Sequence, residues 1–484
     1  MSDLVLGMAL IAVVLMVSAL ASGLIERAPL SFPMIFLGLG LLLGAGGLGA
    51  IDIAPHNPVL ETVAIVSLSL VLFLDAVNLQ VDELRSDWRV PMLALGPGTL
   101  LIIALVAAAA YLLIGTTPLQ SLLLGAILAS TDPVVLRDVV RDERIPRSVR
   151  RALSVEAGMN DIVVLPIVLI LIALLRAEVG GALDWLRFLG ELLVLSPLAG
   201  LLVGGAGAWL MGRADARWGI RREYQALYGI GLVLASYAAG QAVHGDGFLA
   251  AFFGGLAVTI FNVSLCDCFL EYGEVTAEMA MLLAFVLFGA VLSTLLGTVA
   301  LIPALALAFL ALGLARPLSL GLVLQRATMS NAARAFIGWF GPRGLSSLLL
   351  ALLAVQAGVP GAEGLLAVAG VVVLVSVVLH GASATPLSSW YGRRVARQTL
   401  AEEREATATG LFQHDATAAP RVTPAELAAR LAAPRPPIVL DVRTRSQYEQ
   451  DDAQIPGSLR VPPDRIEEWA ARADRERAVV AYCT

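Results

Sequence analysis

The stretch Ser154-Val155-Glu156-Ala157-Gly158-Met159-Asn160-Asp161 lies inside an apolar run from Leu153 to Leu175 that is long enough to cross a lipid bilayer. A charged carboxylate at the centre of a membrane helix costs roughly 2.5 to 3.5 kcal/mol, so acids at such positions usually face a bundle interior and mark an ion or proton pathway. At about 100° per residue, Glu156 and Asn160 stack within roughly 40° of each other, and Asp161 lies roughly 140° round from Glu156. We therefore expect all three side chains to border one cavity.

The overall composition places the chain in the membrane. Hydrophobic residues make up 58% of it and charged residues 15%, and the mean hydropathy is +0.81. These values require lipid to cover the apolar surface, so we predict an all-α polytopic membrane protein whose main partner is the bilayer, with no nucleic-acid partner. The three cysteines are too few for a disulfide framework or a four-ligand zinc site, and no cofactor is expected.

Apolar stretches separated by glycine, proline or charge predict about thirteen membrane helices. Their approximate ranges are 3–25, 29–47, 58–78, 90–114, 118–140, 150–176, 184–211, 222–242, 246–262, 272–294, 297–324, 334–357 and 363–388. The stretch 297–324 is either one helix or a helix with a broken end at Arg316-Pro317. A domain spanning 1–390 follows from these helices.

The connections between the helices indicate the orientation. Arginines are concentrated after the fifth and seventh helices and at the start of the tail: Arg137, Arg141, Arg144, Arg147, Arg150, Arg151, Arg213, Arg217, Arg221, Arg222, Arg393, Arg394 and Arg397. By the positive-inside rule this side is cytoplasmic. The N-terminus is then predicted outside and the C-terminus inside, which an odd number of helices requires.

Two of the predicted helices are interrupted. Thr131-Asp132-Pro133 breaks the fifth, and Gly341-Pro342-Arg343-Gly344 breaks the twelfth, because proline lacks an N–H and clashes with the preceding turn. If helices 1 to 6 and 8 to 13 are two inverted six-helix repeats, the breaks fall in corresponding members. Such a pair is the sequence pattern typical of a transporter's midplane site; ordinary proline kinks are the alternative.

The chemistry of this site depends on competition for one carboxylate. A monovalent cation needs oxygen ligands and a countercharge, which Asp161 supplies, with Thr131 and Glu156 as further oxygen sources. The same carboxylate can instead bind a proton. If the protein turns to the other side of the membrane only when this group is occupied, competition becomes exchange.

Other charged residues have alternative interpretations. We expect Arg343 to form a structural ion pair with Glu156, the alternative being that it snorkels to the surface. Asp132 either neutralises half-helix N-termini or caps a single one, and Asp75 is favoured as an interfacial acid. The four histidines are expected at loops or helix ends, without a proton-relay role: His56, His244, His380 and His414.

Four motifs together resemble the sodium/proton exchanger branch of the cation:proton antiporters, over nearly the whole region up to residue 390. They are Glu156-x-x-x-Asn160-Asp161, Ser130-Thr131-Asp132-Pro133, Gly341-Pro342-Arg343-Gly344 and the segment from His244 to Phe252. The resemblance implies a homodimer in which a core domain slides against a dimerisation domain, and an electroneutral Na⁺/H⁺ antiporter acting in pH homeostasis. K⁺ and Li⁺ are the alternative ions.

The resemblance also assigns roles to residues of this sequence. It implies that Asp161 is the cation and proton ligand, that Thr131 is a second Na⁺ ligand, and that Asn160 and Glu156, with Arg343, hold the site; Asp132 belongs to the same cation- and proton-binding set. In the family a serine commonly follows the glutamate, and here Ala157 stands at that position. One side-chain oxygen of the family pattern is therefore missing.

The composition changes after Trp390. Residues 391–421 are polar and are predicted to form a cytoplasmic linker, and residues 422–484 resemble a rhodanese-like α/β domain, on the motif from Leu440 to Glu449 and the strand that ends at Cys483. In that family the cysteine is the sulfur-carrying nucleophile, so a small anion or a thiol is the ligand class implied. The printed sequence ends one residue later, at Thr484, and we expect the truncated domain to be inactive.

We therefore interpret the chain as a secondary active transporter of a bacterial inner membrane and not as an enzyme. A remote alternative is a membrane-anchored sulfurtransferase, whose helices only locate the tail. An anchor has no need of the buried Glu156, Asn160 and Asp161.

Overall fold

A computed structural model of the chain describes residues 12–13, 16–17, 20, 31–79, 89–142, 144–177, 180–327, 329–397, 422–433, 435–450, 453–474 and 477–482. Most of the predicted first helix, 3–25, lies outside these residues. So do Cys483 and all of the predicted linker beyond residue 397.

The membrane region is a bundle of helices, and the prediction of an all-α polytopic fold is confirmed. In chain order the helices are α1 (Phe32–Leu43), α2 (Pro58–Asn78), α3 (Val90–Ile114), α4 (Pro118–Ile127), α5 (Pro133–Arg141), α6 (Arg147–Arg176), α7 (Ala182–Trp218), α8 (Arg222–Ala242), α9 (Gly247–Phe261), α10 (Val263–Leu295), α11 (Leu301–Val323), α12 (Asn331–Trp339), α13 (Leu345–Gln356) and α14 (Ala362–Arg397). Among the described residues, seven helices are long and apolar enough to cross a membrane.

Small residues let these helices approach closely, as is common where lipid surrounds the bundle. A Cβ on Gly40 of α1 would overlap the backbone of Val286 in α10, and one on Gly289 would overlap the backbone of α1 in turn. Gly200 of α7 lies against Ala250 of α9 in the same way. These backbone contacts fix the helices that surround the two interrupted ones.

The two predicted interruptions are present and lie against each other. The first helix stops at Ile127 and resumes at Pro133 as α5; the second stops at Trp339 and resumes at Leu345 as α13. The extended segments between the halves meet where the Asp132 N–H donates to the Pro342 carbonyl oxygen, at 2.9 Å. The breaks therefore bring four helix ends to one place inside the bundle.

One open alternative is decided by the structure, and two local expectations differ from it. Of the two possibilities for the stretch 297–324, the structure has one continuous helix, because the π-helical turn Ala311–Ala315 precedes the proline and absorbs the change in hydrogen bonding. Residues 266–268, which fall between the predicted helices 246–262 and 272–294, lie within α10, whose N-terminus is capped by Asn262. The last helix runs to Arg397, past the boundary expected at residue 390.

The described part of the tail contains a small parallel sheet with helices. Its elements are α15 (Pro424–Leu431), β1 (Ile438–Asp441), α16 (Arg445–Gln450), β2 (Leu459–Arg460), α17 (Ile466–Arg472) and β3 (Val479–Tyr482), with strand order β2-β1-β3. The strand predicted before Cys483 is present as β3, and it pairs with β1, which in turn pairs with β2. At the end of β1, burial raises the pKa of Asp441, but hydrogen bonds from Arg443 outweigh it and hold the pKa below its usual value.

Candidate functional site

Helix α6 carries the three polar residues of the opening stretch into the interior of the bundle. The exposed fractions are 1% for Glu156, 0% for Asn160 and 4% for Asp161. None of the three faces lipid, which agrees with the cost of placing a polar side chain there. Glu156 and Asn160 are one helical turn apart, and the Asn160 amide lies 3.4 Å from Glu156 Oε1.

The carboxylate of Asp161 lies between the two broken helices. It accepts a hydrogen bond of 2.6 Å from the Ser130 hydroxyl, at the first break. The hydroxyl of Ser346, in the first turn of α13, lies near enough to interact with the same carboxylate. Hydroxyl groups from both breaks therefore lie beside this single acid.

The ion pair of Glu156 differs from the one expected. Its partner is Arg316 of α11, whose Nη1 and Nη2 each donate a 2.8 Å hydrogen bond to one oxygen of the carboxylate. Planar, two-point contacts of this kind suit the guanidinium fork. The expected Glu156–Arg343 salt bridge is wrong, and sequence reasoning missed Arg316 although an arginine beside Pro317 in an apolar stretch was a signal.

Arg343 has a different set of partners. Its Nη1 donates hydrogen bonds of 2.8 to 2.9 Å to the carbonyl oxygens of Ala129 and Ser130 and to Thr131 Oγ1. Thr131 Oγ1 in turn lies 3.2 Å from Glu156 Oε1. Arg343 is fully buried and does not snorkel. Its charge compensates the carbonyl end left free by the break after α4.

Asp132 serves the N-termini of two half-helices. Its Oδ1 accepts a hydrogen bond of 2.8 Å from the Val134 N–H in α5, and its Oδ2 accepts one of 2.7 Å from the Leu345 N–H in α13. Gly344 leaves room for this contact, because a Cβ there would overlap Asp132 Oδ2. Of the two interpretations of Asp132, the structure has the one in which a single carboxylate neutralises both helix ends.

Asn160 and Thr131 complete the described site. The Asn160 amide donates to Thr99 Oγ1 of α3 and to Glu156 Oε1, both at 3.4 Å. Its Oδ1 is buried and has no protein hydrogen-bond partner within the described ranges. Thr131 is occupied by its contacts with Arg343 and Glu156, whereas Asn160 retains a free oxygen.

A cavity of about 710 Å³ lies beside this arrangement, on the arginine-rich side. Its lining includes Pro133, Ala157 and Ile162, which are sequence neighbours of Asp132, Glu156 and Asp161. Asp75, expected to be interfacial, is buried and also lines it. Five arginines line the cavity as well: Arg137, Arg141, Arg147, Arg150 and Arg151.

Two broken helices that meet beside a buried carboxylate are typical of secondary active transporters. The chain matches the family described as sodium/hydrogen exchanger, transmembrane, over residues 11–390. It belongs to that family.

The chain is also similar to proteins named as cation/proton antiporters. The K⁺/H⁺ antiporter NhaP of Alkalimonas amylolytica is 28% identical over 398 residues, which is 80% of this chain and 67% of that protein. The K⁺/H⁺ antiporter NhaP2 of Shewanella oneidensis is 30% identical over 378 residues, or 76% of this chain and 64% of the relative. The chain thus spans about two thirds of the length of these relatives.

The fold is also that of a solved structure. The sodium proton antiporter MjNhaP1 from Methanocaldococcus jannaschii superposes with a TM-score of 0.66 at 19% identity, over 78% of this chain and 99% of that one. The arrangement of membrane helices is therefore shared with an antiporter.

Proposed function

We propose that this protein exchanges a monovalent cation for protons across a bacterial inner membrane, with both ions competing for Asp161. The observation that carries the proposal is the position of this carboxylate, buried between two broken helices and 2.6 Å from the Ser130 hydroxyl. The neighbouring cavity offers a route from one side of the membrane. Membership of the sodium/hydrogen exchanger family supports the same activity.

The charges around Asp161 support a role for it as the titrating group. Glu156 is paired with Arg316, and Arg343 and Asp132 supply one further charge of each sign close by. These four charges cancel, and Asn160 contributes none; the balance covers these residues and not Asp75, which lines the adjoining cavity. A single proton or a single monovalent cation on Asp161 then leaves the site neutral, and a neutral loaded site is the one that crosses lipid at the lowest cost.

Oxygen atoms suited to a cation lie near this carboxylate. The Ser130 hydroxyl hydrogen-bonds to it, the Ser346 hydroxyl lies beside it, and the neighbouring Asn160 has a buried Oδ1 without a protein partner among the described residues. With Ala157 after Glu156, a side-chain oxygen of the family pattern is absent, so we propose that Ser130 and Ser346 take a larger share of the cation's coordination.

Na⁺ is the first candidate ion, from the motif resemblance, and K⁺ is the second. The second is favoured by the names of the relatives at 28% and 30% identity, both K⁺/H⁺ antiporters. The structural neighbour, a sodium proton antiporter at 19% identity, supports the shared fold only.

Proteoliposomes with a trapped pH dye test the proposal. We expect Na⁺, K⁺ or Li⁺, added in turn to vesicles acidified inside, to dissipate the pH gradient. Asp161→Asn keeps the shape of the side chain but removes its charge, and it should abolish the response to all three. Ser319→Ala, a buried hydroxyl in α11 that bonds its own helix, is the matched control and should retain exchange. A normal response from Asp161→Asn would refute the role of this acid.

The proposal extends to the oligomeric state, the orientation in the membrane and the domains of the chain. We propose a homodimer with the N-terminus outside and the C-terminus in the cytoplasm, and a pair of inverted six-helix repeats that place the breaks in corresponding helices. The membrane domain is proposed to cover 1–390, with α14 continuing to Arg397 into the proposed linker 391–421, and residues 422–484 are proposed to form a rhodanese-like domain.

A further inference from the structure

His380 lies in the middle of α14, and the expectation that it occupies a loop or a helix end is wrong. Its exposed fraction is 1%. Nothing in the exchange chemistry described above uses this imidazole. A buried histidine needs partners for both ring nitrogens, so the identity of those partners bears on its role.

One ring nitrogen contacts the second break directly, and the other reaches it through Ser376. Nε2 lies 3.0 Å from the Trp339 carbonyl oxygen, at the last residue of α12. Nδ1 lies 3.1 Å from the hydroxyl of Ser376 on the same helix as His380. That hydroxyl accepts a 2.6 Å hydrogen bond from the Arg343 N–H, on the far side of the break. One imidazole thus connects the two ends of the interruption.

A carbonyl oxygen lies beside each ring nitrogen: Trp339 O is 3.0 Å from Nε2, and Ser376 O is 3.0 Å from Nδ1. Both carbonyls only accept hydrogen bonds, so the contacts define the place of the ring and not its tautomer. The Ser376 hydroxyl, whose oxygen accepts from the Arg343 N–H, is 3.1 Å from Nδ1. The contacts therefore run continuously from Arg343 through Ser376 and His380 to Trp339.

The segment held in this way carries the groups that hold the site. The Arg343 side chain binds the Ser130 carbonyl and Thr131, and the Leu345 N–H binds Asp132. Ser130 in turn bonds to Asp161. A change in the spacing across the break moves these donors relative to the carboxylate that binds the cation.

We propose that His380 is a positioning residue that sets the geometry of the second break and, through Arg343, the affinity of the site for its cation. This inference rests on the proposed exchange activity. It assigns to His380 a specific effect on cation affinity, distinct from a general contribution to packing.

The test compares variants of the full chain in proteoliposomes, with the initial rate of dye recovery measured against the concentration of Na⁺, K⁺ and Li⁺. His380→Ala removes both links, and we expect the apparent KM for the cation to rise about tenfold, the worth of roughly one to two hydrogen bonds, with Vmax changed less than threefold. His380→Gln and His380→Asn each retain an amide near one of the two nitrogens, and each should recover part of the affinity. Ser383→Ala is the matched control, because it removes the 3.0 Å bond to the Trp339 indole and leaves the Trp339 carbonyl untouched.

The outcomes separate the two proposals. No exchange by the wild type with any of the three ions refutes the proposed function itself. Wild-type exchange with an unchanged KM in His380→Ala, or an equal rise in KM in Ser383→Ala, overturns the positioning role. If His380→Ala does not insert or purify, Ser376→Ala is the substitute, because it removes only the hydroxyl between Arg343 and His380. A raised KM in this variant supports the proposal, and a wild-type KM contradicts it.

Discussion

At the level of single residues, Arg316 and Glu156 form a buried ion pair, so their two charges neutralise each other within the site. Both side chains are 1% exposed, and both guanidinium nitrogens bind the carboxylate at 2.8 Å. Breaking a buried pair by removing one partner leaves the other charge unpaired, at a cost of about 3 to 5 kcal/mol. Replacing both by apolar residues avoids that cost.

We therefore predict that Arg316→Met lowers the thermal unfolding temperature of the detergent-solubilised protein more than the double variant Glu156→Leu/Arg316→Met does. The single variant leaves Glu156 charged and buried, whereas the double variant leaves neither charge. Circular dichroism or dye-based melting measures the difference. A double variant that melts no higher than the single one would show that the charge pair does not govern stability here.

Sequence reasoning reached the acids of this site but not their partners. Glu156, Asn160 and Asp161 were identifiable because polar residues interrupt a long apolar run, and that pattern is local. The choice between Arg316 and Arg343 as the partner of Glu156 depends on how α11 and the second break are placed around α6, and this is set by tertiary packing. The role of His380 was missed for the same reason, since Trp339, its partner at the break, is 41 residues away in sequence.

At the level of helices, the two half-helices α5 and α13 share one cap. Pro133 and the Gly341–Gly344 segment made the breaks predictable, because proline and glycine disfavour a continuous helix. Their meeting at the Asp132 N–H and the Pro342 carbonyl was not predictable, since no local pattern encodes a contact 210 residues apart. This contact is what allows one carboxylate to reach both helix ends.

Gly344→Ala tests this shared cap. The added methyl group would overlap Asp132 Oδ2 and displace it from the Leu345 N–H, so we expect exchange in proteoliposomes to fall at least tenfold. Gly231→Ala in α8, where a Cβ meets no atom within 4 Å, is the matched control and should exchange like the wild type. Equal rates for the two variants would contradict the requirement for the shared cap.

At the level of the whole molecule, apolar length and helix breaks predicted the order of the membrane helices, and the described helices agree with the predicted spans to within a few residues in most cases. The tail was recognisable from its strands, but its place against the bundle was not. Helix α16 of the tail contacts α14, and the turn Pro463–Arg465 contacts α6, the helix that carries Asp161. The described part of the tail therefore contacts two membrane helices, α14 and the site-bearing α6.

The charge balance of the site leads to a prediction for transport as a whole. With Glu156 and Arg316 paired, and Asn160 uncharged, one proton exchanged for one monovalent cation moves no net charge. Each net elementary charge moved through 100 mV gains or loses about 2.3 kcal/mol, which corresponds to roughly a 50-fold change in the ion gradient that exchange can support. We expect the final pH gradient, at a fixed cation gradient, to be the same with and without a potential of about 100 mV imposed by a permeant anion. A final gradient that follows the potential would mean that a second charge moves with each cycle, and the assignment of Asp161 as the sole titrating group would then fail.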